Sequence, residues 1–403
     1  MVPRALRHPA FRTYVAGSFF ALNGMWMQRL TIGWIGWDLT GSASFVGFVA
    51  FLIFAPVMVS GPLFGVIADR IDVRRGALAT QGTLAALTVA LLGAEVADVL
   101  TPPLLALLAL AVGVVMSAHH PIRMALAPRL VPKEDIASSI SVVSVNFNLS
   151  RLIGPAIAGV LIGWLGVAAT LGVNLLLFLP LFAALLIVRP RAKEGEARRP
   201  PPLLAALRDG VRHALATPVI RQAMVLTGVF ALVGRGALEI LPAVADGLFA
   251  RGAAGLGQMT AAGGAGALVA ALRLATRAPY DGGGLPRGSI VAAGIGAALV
   301  GALALMPSWW GALAVVAGLG WCGTMVGVGM QQAVQIQLTD DMRGRVMSLW
   351  IVVGIGAAAM GAILLGALGD LVGLRPGLLG SAVVSALAMG WALRPGTAQA
   401  KRA

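Results

Sequence analysis

The stretch Gly65-Val-Ile-Ala-Asp69-Arg70-Ile-Asp72-Val-Arg74-Arg75 decides the fold of this chain. It places five charges between two long apolar runs, in a sequence of which only 11% is charged. Charge so concentrated is most stable where water can solvate it, at the end of a membrane-spanning segment. The stretch therefore predicts a short loop at a membrane surface, with a transmembrane helix on either side.

Composition supports a lipid environment for the rest of the chain. The 403 residues are 58% hydrophobic, with a mean hydropathy of +0.89, whereas a soluble domain is about half apolar and about a quarter charged. The apolar runs are continuous and do not alternate with a period of two, which favours helices over a β-barrel. A helix needs about 20 residues to cross a bilayer. We therefore predict an all-α membrane protein with twelve transmembrane helices.

The predicted helices form two similar halves joined by a polar segment. They span residues 13–38, 43–68, 76–97, 101–122, 137–163, 167–188, 218–246, 253–277, 288–306, 309–337, 345–368 and 372–393. Residues 1–188 are predicted to form an N-terminal six-helix bundle, 189–216 a cytoplasmic linker and 217–403 a C-terminal bundle. Glycines repeat between the halves at a fixed offset: Gly154, Gly159 and Gly166 correspond to Gly361, Gly366 and Gly373. Such internal repeats are typical of secondary transporters.

The distribution of Lys and Arg predicts the orientation. Most of the 30 basic residues fall at the helix ends that share a side with the N-terminus, whereas the opposite loops hold only Arg251 and Arg375. By the positive-inside rule both termini lie in the cytoplasm, and we expect a multi-pass membrane protein. The net charge of +14 is explained by the basic residues on the cytoplasmic side, and no nucleic-acid partner is expected.

Several motifs carry a resemblance to a known family. The loop at 65–75 resembles the signature loop between helices 2 and 3 of major facilitator superfamily (MFS) transporters. Three stretches resemble the branch of that superfamily that contains bacterial enterobactin exporters and macrolide efflux proteins. They are Trp37-Asp38-Leu39-Thr40-Gly41-Ser42 with the loop, Leu130-Val131-Pro132-Lys133-Glu134-Asp135 followed by 146–155, and Arg343-Gly344-Arg345-Val346-Met347-Ser348-Leu349. The resemblance implies two pseudo-symmetric six-helix bundles in a bacterial inner membrane.

The resemblance also implies a conformational latch on the cytoplasmic side. Asp69 is expected to face the N-terminal end of the predicted helix 345–368, where free N–H groups favour an anion. The latch would hold the two halves together and favour an outward-open state. Its predicted members are Gly65, Asp69, Arg70, Asp72, Arg74, Arg75, Arg343 and Arg345. The alternative is a solvated loop that only sets the topology.

Helix 137–163 contains Gly154, Pro155 and Gly159, which resemble an antiporter motif and imply export. Proline bends a helix and small residues permit tight packing; an ordinary packing site is the alternative.

Charges inside a membrane are costly and mark functional sites. The coupling candidates are Glu239, Arg235, Arg29 and Arg151. Glu239 is the preferred proton-binding group, and a static ion pair with Arg235 or Arg29 is the alternative.

Polar residues within apolar helices are candidates for a substrate cavity. These are Asn23, Gln28, Asn146, Gln331 and Gln335, some of them on helices that line the cavity in this superfamily. The four histidines, which include His119 and His120, do not suggest a metal site, and we expect no cofactor and no enzymatic site.

The predicted function is proton-coupled efflux of a small amphipathic molecule, such as a drug, a macrolide or a siderophore. The expected partners are that substrate, the proton and the lipid bilayer, and we expect a monomer. Two alternatives stay open: an ion-coupled uptake symporter for a metabolite, and a membrane scaffold without transport activity.

Overall fold

The computed structural model of the chain describes residues 3–191, 203–276, 280 and 284–393. For residues 59–70, 203–207, 340 and 341 it describes the backbone alone. The α-helices are α1 (Pro9–Thr40), α2 (Ala43–Arg70), α3 (Val73–Val96), α4 (Pro102–Leu126), α5 (Ile136–Ile187), α6 (Leu203–Ala216), α7 (Pro218–Phe230), α8 (Gly236–Glu239), α9 (Gly252–Ala275), α10 (Arg287–Leu305), α11 (Trp309–Ile336), α12 (Asp340–Val372) and α13 (Leu374–Ala392). These ranges contain no strand, and the all-α fold class is confirmed.

The helices have the length and surface expected of a membrane protein. Among the residues that the structure describes, eight helices are long and apolar enough to cross a bilayer, and Ala43–Met58 forms a shorter apolar segment. Large apolar side chains lie on the outside, including Trp164, which is 82% exposed, and Leu371, which is 80% exposed. Lipid is the solvent that such a surface requires.

Glycine marks equivalent turns in the two halves of the sequence. Gly166 has a φ of 80° and divides α5 into two helices, near the predicted boundary. Gly373 has a φ of 94° and separates α12 from α13. A residue with a Cβ rarely adopts these dihedral angles. Gly166 and Gly373 correspond to each other in the internal sequence repeat, so the sequence encodes the same turn twice.

The predicted helix 218–246 differs from the structure. It is divided into α7, a π-helical segment (Ala231–Arg235), α8 and a second π-helical segment (Ala243–Leu248), with an irregular residue at Ile240. Pro242 accounts for the irregularity, because it lacks the backbone N–H that the preceding turn needs.

Two compact units account for the packing. Unit 1 comprises residues 1–200 and 241–264, and unit 2 comprises residues 201–240 and 265–403. In unit 1 the core includes Tyr14 and Phe178, and in unit 2 it includes Phe230 and Trp350. The segment that follows Ile240 thus groups with the first unit, while the predicted bundle boundaries at 188 and 217 stay a prediction.

Candidate functional site

The charged loop between α2 and α3 is held in place by its own side chains. Asp72 caps α3: its Oδ1 accepts the backbone N–H groups of Arg74 at 2.9 Å and Arg75 at 3.2 Å. The guanidinium of Arg74 donates to the carbonyls of Leu185 at 2.5 Å and Leu186 at 2.6 Å, at the C-terminal end of α5. A cation is favourable there because the last carbonyls of a helix lack intrahelical partners. The arrangement fixes the start of α3 against α5.

Arg75 forms an exposed ion pair with Asp72, with Nε and Oδ2 3.7 Å apart. For Gly65, Asp69 and Arg70 the structure describes the backbone alone. The structure therefore gives Asp72 and Arg74 local roles within unit 1, and the latch between the two predicted halves stays a prediction.

Arg345 has a partner that the sequence did not reveal. Its Nη1 lies 3.1 Å from Oδ2 of Asp209, on α6, in the segment predicted to be a polar linker. Gly210 brings the two helices together, since a Cβ at that residue would lie 3.1 Å from the carbonyl oxygen of Arg345. Arg343 is exposed at the start of α12. The pair ties α6 to the start of α12 within unit 2.

The antiporter-like motif lies where α5 comes closest to two other helices. A Cβ at Gly154 would lie 2.8 Å from the carbonyl oxygen of Asn23, on α1. A Cβ at Gly159 would lie 2.5 Å from Cα of Gly257, on α9, and the carbonyl of Pro155 faces the same glycine. Small residues allow such close approach of backbones inside a membrane. The motif therefore packs α5 against α1 and α9 in unit 1.

Two of the predicted cavity residues connect α1 to α5. Asn23 donates from Nδ2 to Oγ of Ser150 at 3.2 Å, and Asn146 donates from Nδ2 to the carbonyl of Val15 at 3.2 Å. Both are buried, and the Oδ1 atom of each is buried without a hydrogen-bond partner among the residues that the structure describes. These contacts give the two amides a role in holding the helices together, and leave an acceptor on each for a further donor.

Gln28 extends the polar contacts of α1 to α3. Its Nε2 donates to Oγ1 of Thr88 at 2.8 Å, and both residues are buried. In unit 2, Gln331 is half-buried and Gln335 is exposed on α11. Their role in a substrate cavity stays a prediction.

Arg29 lies among aromatic rings in unit 1. Its Cζ is 4.5 Å from the ring centroid of Phe54 and 5.3 Å from that of Trp26. Trp26 in turn packs edge-to-face on Phe147, with centroids 5.7 Å apart. Aromatic faces stabilise a cation by their negative electrostatic potential. The sequence showed Arg29 as an intramembrane charge, but not the rings that surround it.

The remaining coupling candidates lie on helices with close contacts or breaks. Arg151 is half-buried on α5. Gly264 of α9 packs against the α5 backbone at this residue, since a Cβ at Gly264 would lie 3.3 Å from the carbonyl oxygen of Arg151. Arg235 ends a π-helical segment, and Glu239 ends α8 at the residue before the irregular Ile240. Single π-helical turns are frequent at functional sites. Glu239 therefore lies at a discontinuity of the helical backbone.

A cavity in unit 1 contains residues that the sequence analysis did not select. It has a volume of about 230 Å³ and lies between the first turns of α1, the end of α4 and the first part of α5. Its polar lining includes Tyr14, His120, Arg123 and Asn148, and its apolar lining includes Phe147. In the sequence Arg123 is one of many basic residues at a helix end, and no local pattern distinguishes it from the others. Within the described ranges, no three His, Cys, Asp or Glu residues are placed to hold a metal.

Comparison with known proteins gives consistent matches over the whole chain. A family model described as transmembrane secretion effector matches residues 3–399. The enterobactin exporter EntS of Salmonella choleraesuis (strain SC-B67) is 28% identical over 371 residues, which cover 90% of this chain and 86% of that protein.

Two solved structures share the fold. The nucleoside transporter NupG matches with a TM-score of 0.74 at 16% identity, over 96% of this chain and 100% of that one. A bacterial homolog of the human lysosomal transporter Spinster, in an inward-facing and unoccupied conformation, matches with a TM-score of 0.68 at 15% identity, over 95% and 97% of the two chains. At these identities the two structures are evidence for the fold alone.

Proposed function

This chain belongs to the transmembrane secretion effectors of the major facilitator superfamily, and from that premise we propose that it exports a small amphipathic molecule from the bacterial cytoplasm by proton-coupled alternating access. The family match over residues 3–399 carries the proposal. The family and the relatives are membrane transporters and not enzymes.

The name of the similar EntS proteins supports a substrate of the siderophore type, while an identity of 28% leaves drugs and macrolides as further members of the candidate class. The side chains of unit 1 favour a substrate with both apolar and polar parts. Aromatic rings flank Arg29, Gln28 and Asn23 lie on the same helix, and Asn146 lies on α5. Binding sites for small molecules commonly combine a mostly apolar wall with a few polar groups that fix orientation.

In the proposed mechanism the two predicted halves rock around a site near the midplane of the membrane. The close approach of α5 to α9 at Gly159 and Gly257 supports a tight seal beside the pathway. The anchoring of α3 by Asp72 and Arg74 supports a stiff cytoplasmic loop, which a latch needs. Both termini are proposed to lie in the cytoplasm, as the distribution of basic residues indicates.

Glu239 is the proposed proton-coupling residue. It lies at the end of α8, directly before the irregular residue that Pro242 causes. Ion and substrate sites of secondary transporters are often built at broken helices, because the exposed backbone groups there take part in binding. Arg235 and Arg29 are the proposed charges that respond when Glu239 takes up or releases a proton.

The test is transport by the full chain in proteoliposomes with an imposed pH gradient. Catecholate siderophores, macrolides and dyes are added in turn, and proton flux and substrate movement are recorded. We expect at least one compound to drive proton flux, and Glu239→Gln to abolish it. The matched control is Asp38→Asn, which makes the same chemical change at an exposed residue and should retain coupling.

Three other results would redirect the proposal. Normal coupling in Glu239→Gln would refute the assignment of that residue and leave export intact. Accumulation driven inward by the gradient would favour the uptake symporter. A chain that moves no compound, and that tolerates Asp69→Asn and Glu239→Gln without any functional effect, would favour the scaffold.

A further inference from the structure

The helix α6 lies in the segment that the sequence predicts to be a polar linker, and one of its sides packs against the rest of unit 2. Gly210 is buried, and a Cβ there would lie 3.1 Å from the carbonyl oxygen of Arg345, on α12. Ala214 is buried and belongs to the core of unit 2. Asp209 forms an ion pair with Arg345. These contacts fix which side of α6 faces the protein and which side faces outward.

The neighbours of α6 place it at a membrane surface. Its last residue, Ala216, is separated by a single residue from the start of α7, and the segment Pro218–Glu239 is long and apolar enough to cross a bilayer. Its contact on α12, Arg345, lies near the start of another such segment, Met342–Val372. A helix that is joined to the start of one span and packed on the start of another lies where the spans enter the lipid. The distribution of basic residues predicts that this surface is the cytoplasmic one.

The outward side of α6 has an apolar edge and a basic edge. Val211 is 40% exposed and Leu215 is 58% exposed, and the side chains of Arg208 and Arg212 are exposed as well. Residues four apart are neighbours on the surface of a helix. Val211 and Leu215 therefore form the apolar edge, and Arg208 and Arg212 form the basic edge beside it.

An additional arginine lies at the end of α6. Arg221, on the first turn of α7, is exposed, and its Nη1 donates to the carbonyl of Leu215 at 3.4 Å. Two like charges four apart destabilise a helix, so an anion that contacts Arg208 and Arg212 offsets their repulsion.

The combination of the two edges identifies the anion as a lipid. A soluble anion would match the basic edge and leave Val211 and Leu215 exposed to water. An anionic bilayer matches both, because apolar side chains of an interfacial helix enter the acyl boundary while its cationic side chains reach the head groups.

We propose that α6 lies in the lipid interface and binds the phosphate groups of anionic phospholipids through Arg208 and Arg212, while Val211 and Leu215 enter the upper part of the acyl chains. The ion pair between Asp209 and Arg345 then connects the lipid-bound helix to the start of α12. The proposal concerns the lipid-facing surface of unit 2 and holds whether or not the chain exports a substrate.

The experiment measures which lipid lies beside α6 in the full chain. Ala216→Cys, at the exposed end of α6, carries an environment-sensitive fluorescent label; Cys322 is buried, so the label attaches to α6. The chain is placed in phosphatidylcholine nanodiscs that contain the same small fraction of either brominated phosphatidylglycerol or brominated phosphatidylcholine, whose bromine atoms quench the label. We expect the anionic lipid to quench more strongly, with a preference of about fivefold for each arginine.

Substitutions in the labelled chain test each edge. Arg208→Gln together with Arg212→Gln should remove the preference for the anionic lipid, whereas lysine at both residues should retain most of it, because the charge is kept. The matched control is Arg12→Gln, which removes an exposed arginine of α1 and should leave the preference unchanged. Val211→Ser together with Leu215→Ser should shift the emission of the label to the red, as the end of α6 moves toward water.

Equal quenching by the two brominated lipids in the chain with all its arginines would overturn the proposal, and this comparison decides it even if an arginine variant does not fold. A preference that inorganic phosphate abolishes at constant ionic strength would assign the arginines to a soluble anion and overturn it too. The same holds for a label that neither lipid quenches, because α6 would then face water or a partner protein.

Discussion

Replacement of Gly159 by alanine is expected to force α5 and α9 apart. A Cβ at this residue would lie 2.5 Å from Cα of Gly257, and 2.8 Å from both the backbone nitrogen of Gly257 and the carbonyl oxygen of Ala253. All three are backbone atoms and cannot rotate away. The helices must therefore separate by about 1 Å before the new carbon reaches a normal van der Waals distance.

The expected cost is about 1–3 kcal/mol of unfolding free energy, the usual range for overpacking a close contact. Gly172→Ala is the matched control, on the helix that follows the turn at Gly166, because a Cβ there would meet no atom within 4 Å. Its intrinsic effect is a gain of about 0.5–1 kcal/mol, because alanine favours helix. The two variants make the same chemical change, so their difference isolates the contact with α9.

The assay is unfolding of the purified chain in mixed micelles, with helix content followed by circular dichroism as SDS is added. Gly159→Ala should unfold at lower SDS than the unmodified chain, and Gly172→Ala should not. Gly257→Ala should behave like Gly159→Ala. The double variant should cost less than the two single costs combined, because one separation of the helices relieves both clashes. Equal stability of Gly159→Ala and Gly172→Ala would refute the close approach of α5 and α9.

Three further predictions use the same unfolding assay. Arg74→Ala should lower stability by about 1 kcal/mol, through loss of its hydrogen bonds to carbonyls at the end of α5, whereas a comparable loss in the exposed Arg75→Ala would argue against that anchoring role. Asp246→Ala should cost about 1–3 kcal/mol, since its carboxylate accepts from both the indole of Trp37 and a backbone N–H; an unchanged stability and tryptophan emission would contradict this. A double-mutant cycle on Asp209 and Arg345 should give a coupling below about 1 kcal/mol, because the pair is partly exposed, and a coupling that persists in high salt would disagree.

Local properties of the sequence were sufficient for the fold class and the turns. Hydropathy is a property of each residue and its near neighbours, so the apolar runs gave the helices, and the charged loop at 65–75 gave a helix end. Corresponding glycines likewise predicted two similar halves, and one such pair, Gly166 and Gly373, forms turns with positive φ. The prediction of a single helix over 218–246 was wrong. The disruption at Pro242 and the π-helical segments depend on how the backbone regains hydrogen bonds in the folded chain.

The candidate site depended on contacts between residues far apart in the chain. The sequence singled out Gly159 but not its partner Gly257, and Arg345 but not Asp209 on the predicted linker. Such pairs are fixed by which helix faces meet, and periodicity alone does not specify that for helices that are apolar on all sides.

The sequence by itself determined that this chain is a helical membrane protein, since lipid solvation and the placement of charge are read from residue types alone, and its motifs carried the resemblance to a family of transporters. Only the tertiary structure decided which polar residues act together. Arg123 is one more basic residue at a helix end in the sequence; in the folded chain it lines a cavity together with Tyr14 and Phe147. The physical reason is that this cavity is made by convergence of α1, α4 and α5, and that convergence exists only after the helices have packed.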